Sequence, residues 1–520
     1  MKNLDGKKIV IKDLLSREYF YRVPEYQRPF SWEEENFQDL IQDLIDAEKG
    51  QEYFLGTVVL HWKERENVYD IVDGQQRITT LMILFACLRD LIDDDNFKIS
   101  IQDKIIQKKD VVDGIPEKVR IEVRDREIFN EMIVASKGTT LKKDKKRLPE
   151  PQWRYVEAID IFNNKLRTLS QKELKKFIQF VSQNCMMILL STTTFDDAFK
   201  LFTIVNDRGK QLRRMDVLKA KNISPDIIKS DAVRISLAQK WEEWGENLEE
   251  ETFESVLYLL RFILLEEKPY NDLLFEYEEK IFKKNKLEKG QKFIDTVFEY
   301  CSLFNDIFED FTYFDNQPNK IRITSLLFIM RNEFKSYEWK ACLMQYIKKY
   351  KEDNLEKFLS LLELKYLEGW ITGLNKDTRT SIFGKIINSI NKSSNSKEVI
   401  ESESLKVDVT KIKKTLEDDL YGRTFTKYLL LRLELLATEH AVEKKIEAKS
   451  IEHVLPQIIE EGSDWKNWFS EEEKEKWVNK LANLVLLSKS KNSSAKNLDF
   501  SDKKKKYLEK RVSDYPRSVQ

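Results

Sequence analysis

Only 14 glycines and 10 prolines are spread over the 520 residues of this chain. A chain so poor in breakers has few places where a helix must stop or a tight turn can form, which favours long helices over turn-rich β-architecture. Hydrophobic residues, at 41%, suffice for packed cores, and the 34% of charged residues supply solvated helix faces. The 89 basic and 90 acidic residues nearly cancel, which excludes a globally basic nucleic-acid coat while leaving room for local basic patches. The length allows about three domains. Cys87, Cys185, Cys301 and Cys342 lie far apart with no C-x-x-C pair, so neither a cysteine-zinc site nor a disulfide framework is expected, and a reducing compartment is. The opening MKNLDGKKIV lacks a signal-peptide core, and the longest apolar run, Leu81–Leu88, falls well short of the roughly 20 residues of a membrane span. These features predict a cytoplasmic, predominantly helical α+β protein with no membrane partner.

The first segment mixes strands and helices. Ser31-Trp-Glu-Glu34 reads as a capping box before an apolar stripe of Phe37, Leu40, Ile41, Leu44 and Ile45. Two β-like runs follow, Phe54–Leu60 and Val68–Val72; the second ends in Asp73-Gly74, after which Gln75–Leu91 reads as a buried helix. Residues 103–150 are polar and read as a solvated loop. A further β-like run, Met186–Thr194, leads into a helix from Asp196 that stops at Asn206-Asp-Arg208-Gly209. The pattern is helical from about 230 to 390, and Asn391–Lys397 reads as a linker or exposed loop. The proposed division is 1–225, a helical connecting region 226–404, and 405–520.

Three histidines exist, and two of them, His61 and His440, carry no supporting pattern. His453 sits in a short β-like run between Glu452 and Pro456. Asn483 opens a second such run, and Asn492 starts a helix candidate, Asn492–Leu498. Phosphodiester hydrolysis needs a base to deprotonate water and a divalent cation to neutralise phosphate charge, and hard oxygen ligands suit magnesium or manganese. A His-Asn-Asn arrangement is consistent with that chemistry, although such spacings also arise by chance. Lys142–Arg147 and Lys283–Lys286 read as solvated surface, while Lys503–Lys506 is the best DNA-backbone candidate because it adjoins this motif.

Ile-Glu-His453-Val-Leu-Pro-Gln457, Leu-Ala-Asn483-Leu-Val-Leu-Leu487 and Asn492–Lys503 together resemble the C-terminal HNH-type (ββα-metal) nuclease domain of GmrSD-like proteins. The resemblance implies His453 as general base, Asn483 as its orienting partner, Asn492 as the metal-side catalytic residue and Glu452 as a metal ligand. Val-Pro24-Glu-Tyr26-Gln27-Arg28-Pro29, Phe54-Leu-Gly56-Thr, Asp73-Gly74-Gln75-Gln76-Arg77 and Asn206–Lys219 resemble the GmrS-type domain, related to the ParB/sulfiredoxin fold. Free amides at a helix start attract phosphate, and Arg77 adds a permanently charged fork. With the resemblance, Gly74, Gln75, Gln76, Arg77, Arg28, Asn206 and Arg208 are the expected nucleotide-binding set, with Asp73 holding a metal or positioning water; alone, the pentad reads equally as a strand-to-helix turn with a salt-bridging arginine, and Asn206–Gly209 as an ordinary helix C-cap.

The resulting expectation is a DNA endonuclease of a prokaryotic anti-phage system, modification-dependent by family resemblance. It would use a nucleoside triphosphate at its N-terminal domain and magnesium or manganese at its C-terminal one. DNA, above all modified phage DNA, nucleotide and a second copy of the chain are the expected partners. Two other readings stay open: a general DNA-nicking effector, and a nucleotide-gated DNA-binding regulator with a degenerate nuclease fold.

Overall fold

The computed structural model describes residues 4–48, 52–64, 66–112, 114–205, 214–437, 450–487 and 497–505. It is α+β and predominantly helical, and it divides into two compact units, Met1–Ala238 and Gln239–Gln520. The first unit contains the strands β1 (Asp5–Val10), β2 (Tyr21–Arg22), β3 (Tyr53–Lys63), β4 (Val68–Asp73), β5 (Ile106–Gln107), β6 (Lys118–Val119), β7 (Ile121–Glu122) and β8 (Cys185–Thr192). Six of them form one sheet in the order β1-β8-β3-β4-β2-β7, and β5 pairs with β6 separately. β3 is the hinge of the topology, running parallel to β8 and antiparallel to β4. The β3–β8 register shifts between Phe54 and Thr57, where Gly56 adopts φ +102°. This is a bulge that a residue with a side chain would strain.

The helix Gln75–Leu91 follows β4 and is buried from Ile78 through Leu88. That is why its sequence is apolar on nearly every side rather than striped. The two β-like runs before it and the run before the helix Phe195–Val205 all form strands, each extended by a residue or more beyond its apolar stretch or shifted toward its start. Residues 103–150 depart from expectation. They form β5, β6 and β7 and a series of short helices, and they bury Ile121, Val123, Ile128, Phe129, Met132 and Ile133. The segment is polar on average because its apolar residues are few, but those few are placed inward. The first capping motif is also shifted. The helix Glu34–Ala47 has Glu33 as its cap, the Glu33 amide donates to Asn36 Oδ1 at 3.0 Å, and the Ser31 amide donates to Gln76 instead.

The second unit is built from helices, among them Glu250–Leu265, Gln291–Phe304, Glu338–Tyr350, Leu355–Ile371 and Lys376–Lys392. Trp241 packs edge-on to Phe253 in its core. Asn391–Lys397 is a helix-to-helix corner and not a linker, since Asn395 caps the helix Ser396–Ile400 by accepting from the Glu398 amide at 3.0 Å. Near the end of the unit, β9 (Ser450–His453) and β10 (Leu484–Leu487) pair antiparallel, with His453 opposite Leu484 and Glu452 opposite Val485. Between them Ser470 and Glu473 form a capping box, each side chain accepting the other's amide, at the start of Glu471–Trp477. All four cysteines are buried and free, and burial raises every thiol pKa, that of Cys185 to about 12. No described helix is long and apolar enough to cross a membrane.

Candidate functional site

In the first unit, β4 ends at Asp73 and the chain turns through Gly74, at φ +92°, into the helix Gln75–Leu91. A Cβ at Gly74 would lie 3.0 Å from Val58 Cγ2, so only glycine lets this turn sit against β3. The turn borders a cavity of about 560 Å³ lined by residues that include Arg28, Trp32, Asp73, Gly74, Gln76 and Arg77. Most polar groups of the motif hold backbone. Gln75 Nε2 donates to the Arg28 carbonyl at 2.9 Å, and Gln76 accepts from the Ser31 amide at 3.0 Å while donating to the Pro29 carbonyl at 3.2 Å. Gln27 donates to the Val72 carbonyl at 2.8 Å. The Tyr-Gln-Arg-Pro loop and the Asp-Gly-Gln-Gln-Arg turn are thus sewn together.

Arg77 donates from Nη1 to the Thr57 carbonyl at 3.0 Å and lies flat over the Gly56 bulge, where a Cβ would come within 3.1 Å of the guanidinium carbon. One of its five donors is used there, in a group that borders the cavity. Arg28 is ion-paired with Asp216, 188 positions away on the helix Arg214–Ile223. Burial pushes the Asp73 carboxyl above its ordinary range, against the opposing pull of Arg77 and the Gly74 amide. The structure therefore brings Arg28, Asp73, Gly74, Gln75, Gln76 and Arg77 to one cavity. Asn206 and Arg208 lie outside the described residues.

In the second unit, His453 ends β9 and is mostly buried, and its ring lies 4.1 Å from that of Tyr421. Its Nε2 is 3.4 Å from Asn479 Oδ1. Burial lowers the imidazole pKa, the Asn479 contact partly opposes this, and nearby Lys503 lowers it further, which favours the uncharged ring. Asn483 does not reach the ring. It accepts from the Leu455 amide at 2.7 Å and donates to the carbonyls of Leu455 and Val478 at 3.0 and 2.8 Å. Its own carbonyl accepts from the Val454 amide at 2.9 Å. Asn483 thus fixes the backbone directly after His453, while Asn479 touches the ring.

Adjacent strand residues point to opposite faces, so Glu452 does not share the His453 side of β9. Its carboxylate is ion-paired at 2.8 Å with Lys503, which also donates to the His453 carbonyl at 2.7 Å. Lys503 is 1% exposed, so the first lysine of the proposed DNA-backbone run is a core residue and not a surface one. Asn492, most of the helix candidate that it starts, and Lys506 lie outside the described residues. Among the described residues, no three His, Cys, Asp or Glu side chains converge as a metal set. Sequence reasoning missed Asn479 and Tyr421. Asn479 stands four positions before Asn483 on the same turn, which was a usable signal; Tyr421 reaches the site only through tertiary packing, with the Leu420 amide donating to the Asn479 carbonyl at 2.8 Å.

A sheet-based unit with a glycine turn at a polar cavity, and a histidine at the end of a two-stranded ribbon, fit the class of multidomain restriction nucleases. Residues 11–223 match the N-terminal domain of GmrSD restriction endonucleases, and residues 406–518 match their C-terminal domain. The chain belongs to the GmrSD restriction endonuclease family, and with it comes nuclease activity on DNA in a defence role. No individual curated protein matches the sequence.

Proposed function

We propose that this nuclease cuts DNA at the β9–β10 site, with His453 as general base, and that the cavity of the first unit binds and hydrolyses a nucleoside triphosphate. The observation that carries the reading is the placement of His453. Its ring is contacted by Asn479, the chain after it is fixed by Asn483, and burial favours its uncharged form. With Asn479 Oδ1 accepting from Nε2–H, the free lone pair lies on Nδ1. A water there loses its proton to Nδ1 as its oxygen attacks phosphorus and the ester oxygen leaves. The local pattern supports an HNH-type assignment for this ribbon, and the strand-glycine-turn-helix unit supports a ParB-like assignment for the first domain.

The described residues do not assemble a metal set, because Glu452 is committed to Lys503. Magnesium or manganese stays in the proposal as the cofactor that the family resemblance implies, and no step is routed through it. The nucleotide fits better. The first amides of the helix Gln75–Leu91 and the Arg77 fork border one cavity and would hold phosphates there, with Asp73 beside them to orient water. A bound triphosphate supplies a phosphoanhydride whose hydrolysis can be coupled to a change of state. Modified phage DNA in the cytoplasm is the proposed target.

The test is cleavage of plasmids with and without hydroxymethylated or glucosylated cytosine, in magnesium or manganese. Wild type should cut the modified plasmid, and His453→Ala should lose about two to four orders of magnitude in rate. Cleavage within about tenfold of wild type by folded His453→Ala would falsify the assignment of the base. No cleavage by wild type of any plasmid would favour the nucleotide-gated regulator. Arg77→Ala should weaken triphosphate binding measured by calorimetry, and Asp73→Ala should slow turnover more than it weakens binding.

A further inference from the structure

Directly beside the β9–β10 site is a second cavity, about 530 Å³ in volume, that none of the chemistry above uses. Its walls are Val454, Leu455, Trp465, Trp468, Phe469, Trp477, Ala482, Asn483 and Phe500. Trp465 forms the floor. It is 4% exposed and its indole donates to the Leu498 carbonyl at 3.0 Å. Around it stand Trp468 at 5.6 Å, Phe469 at 6.0 Å and Phe500 at 5.8 Å between ring centroids. Trp468 and Trp477 are, by contrast, 53% and 44% exposed. An ordinary core closes such rings against each other; here a fixed indole floor is ringed by indoles left half in water, although burial of each would be favourable.

We propose that this cavity receives an unstacked nucleobase of the DNA substrate. The inference rests on the reading that DNA is cut at His453, and three observations choose this occupant. The lining is aromatic and its one polar side chain, Asn483, has its amide committed to backbone, so the cavity selects a flat π-surface over a charged or strongly hydrogen-bonding group. Its wall begins at the residue after His453, and consecutive Cα atoms are about 3.8 Å apart, so Leu455 lies within about 8 Å of His453. In duplex DNA each strand carries one phosphate per about 3.4 Å of helix axis, and an unstacked strand spaces them more widely, so a base in the cavity belongs to a nucleotide no more than about two or three from the phosphate at His453. Finally, one segment serves both sites, with Trp477 in the cavity wall and Asn479, two residues on, at the imidazole. Lys476 holds its ammonium 5.4 Å over the Trp477 ring, which puts a cation at the cavity wall.

The cavity thereby positions the strand, because seating one base sets which phosphodiester stands at His453. The experiment uses the full-length His453→Ala protein, so that binding is read without cleavage. A short single-stranded oligonucleotide and its counterpart with one central abasic site are titrated while intrinsic tryptophan fluorescence is followed. The base-containing strand should quench the emission and bind more tightly. Trp468→Ala and Trp477→Ala, each added to that background, should weaken its binding by about five- to 150-fold. They should leave the abasic strand nearly unaffected, and Trp468→Phe should restore most of the difference. Equal affinity for the two strands, or no loss in either alanine variant with an unchanged melting temperature, overturns the proposal and leaves the aromatic face to an apolar protein partner. Residual cleavage in the His453→Ala background, read on a gel, would instead count against the base assignment and leave this comparison standing.

Discussion

The two sites are built in opposite ways. In the first unit the motif residues come from three distant stretches, around Arg28, Asp73–Arg77 and Asp216, and most of their polar groups fasten one stretch to another. In the second, two short strands and one turn bring His453, Asn479 and Asn483 together, and the backbone there is held by the Asn483 side chain rather than by the imidazole. A motif that is also a fastener cannot be altered without loosening the fold. A histidine held by its neighbours can be removed while the fold stays.

The sharpest way to break this contrast lies beneath the second site. Lys503→Met strands a buried carboxylate at Glu452, and losing one partner of a buried pair costs about 3–5 kcal/mol. Urea unfolding should show that loss, with most of it recovered in Glu452→Leu/Lys503→Met; an unchanged midpoint in the single variant would mean the pair is not a support. Next come the histidines. His61, on β3 and buried against Phe195, has its pKa lowered by burial, with Lys63 adding to the effect, to about 4. The unfolded chain therefore takes up this proton first as pH falls. Stability from neutral His61 is whole above about pH 6.5 and drains away toward pH 4, by about 3 kcal/mol in all. Wild type minus His61→Leu, followed by urea unfolding across that window, should show the slope. His453 should write its titration into cleavage instead, with the acid-side fall in rate displaced to lower pH than an ordinary imidazole would give.

Smaller effects test the fastening itself. Arg77→Ala should destabilise the first unit by about 1.5–3 kcal/mol through its lost charged hydrogen bond, together with the loss of nucleotide affinity. Gly56→Ala should be less harmful in the Arg77→Ala background than in wild type, because the guanidinium it would strike is gone; equal costs would separate the bulge from the arginine. Gln76→Ala should cost about 1–2 kcal/mol and affect nucleotide binding only through the loop it holds.

How much of this was legible in the sequence follows from range. Gln75–Leu91 and the Ser470 capping box were readable because hydrophobic periodicity and capping are local. So were both strands of the ribbon. The role of Lys503 was not, since a lysine in a basic run carries no mark of the carboxylate it meets 51 positions earlier. Arg28 was readable as a charged motif residue, but its partner Asp216 is fixed only by the fold. Residues 103–150 were misread because average polarity hides a few inward side chains.

The four buried thiols have a practical consequence. Each is enclosed and disfavours the reactive thiolate, so the native cysteines should be nearly silent toward maleimides. Val112, 94% exposed in the first unit, and Val409, 52% exposed in the second, could then be replaced by cysteine and carry a donor and an acceptor dye without removing any native thiol. Energy transfer between them would report, in real time and one molecule at a time, whether triphosphate or DNA changes the separation of the two halves of the chain.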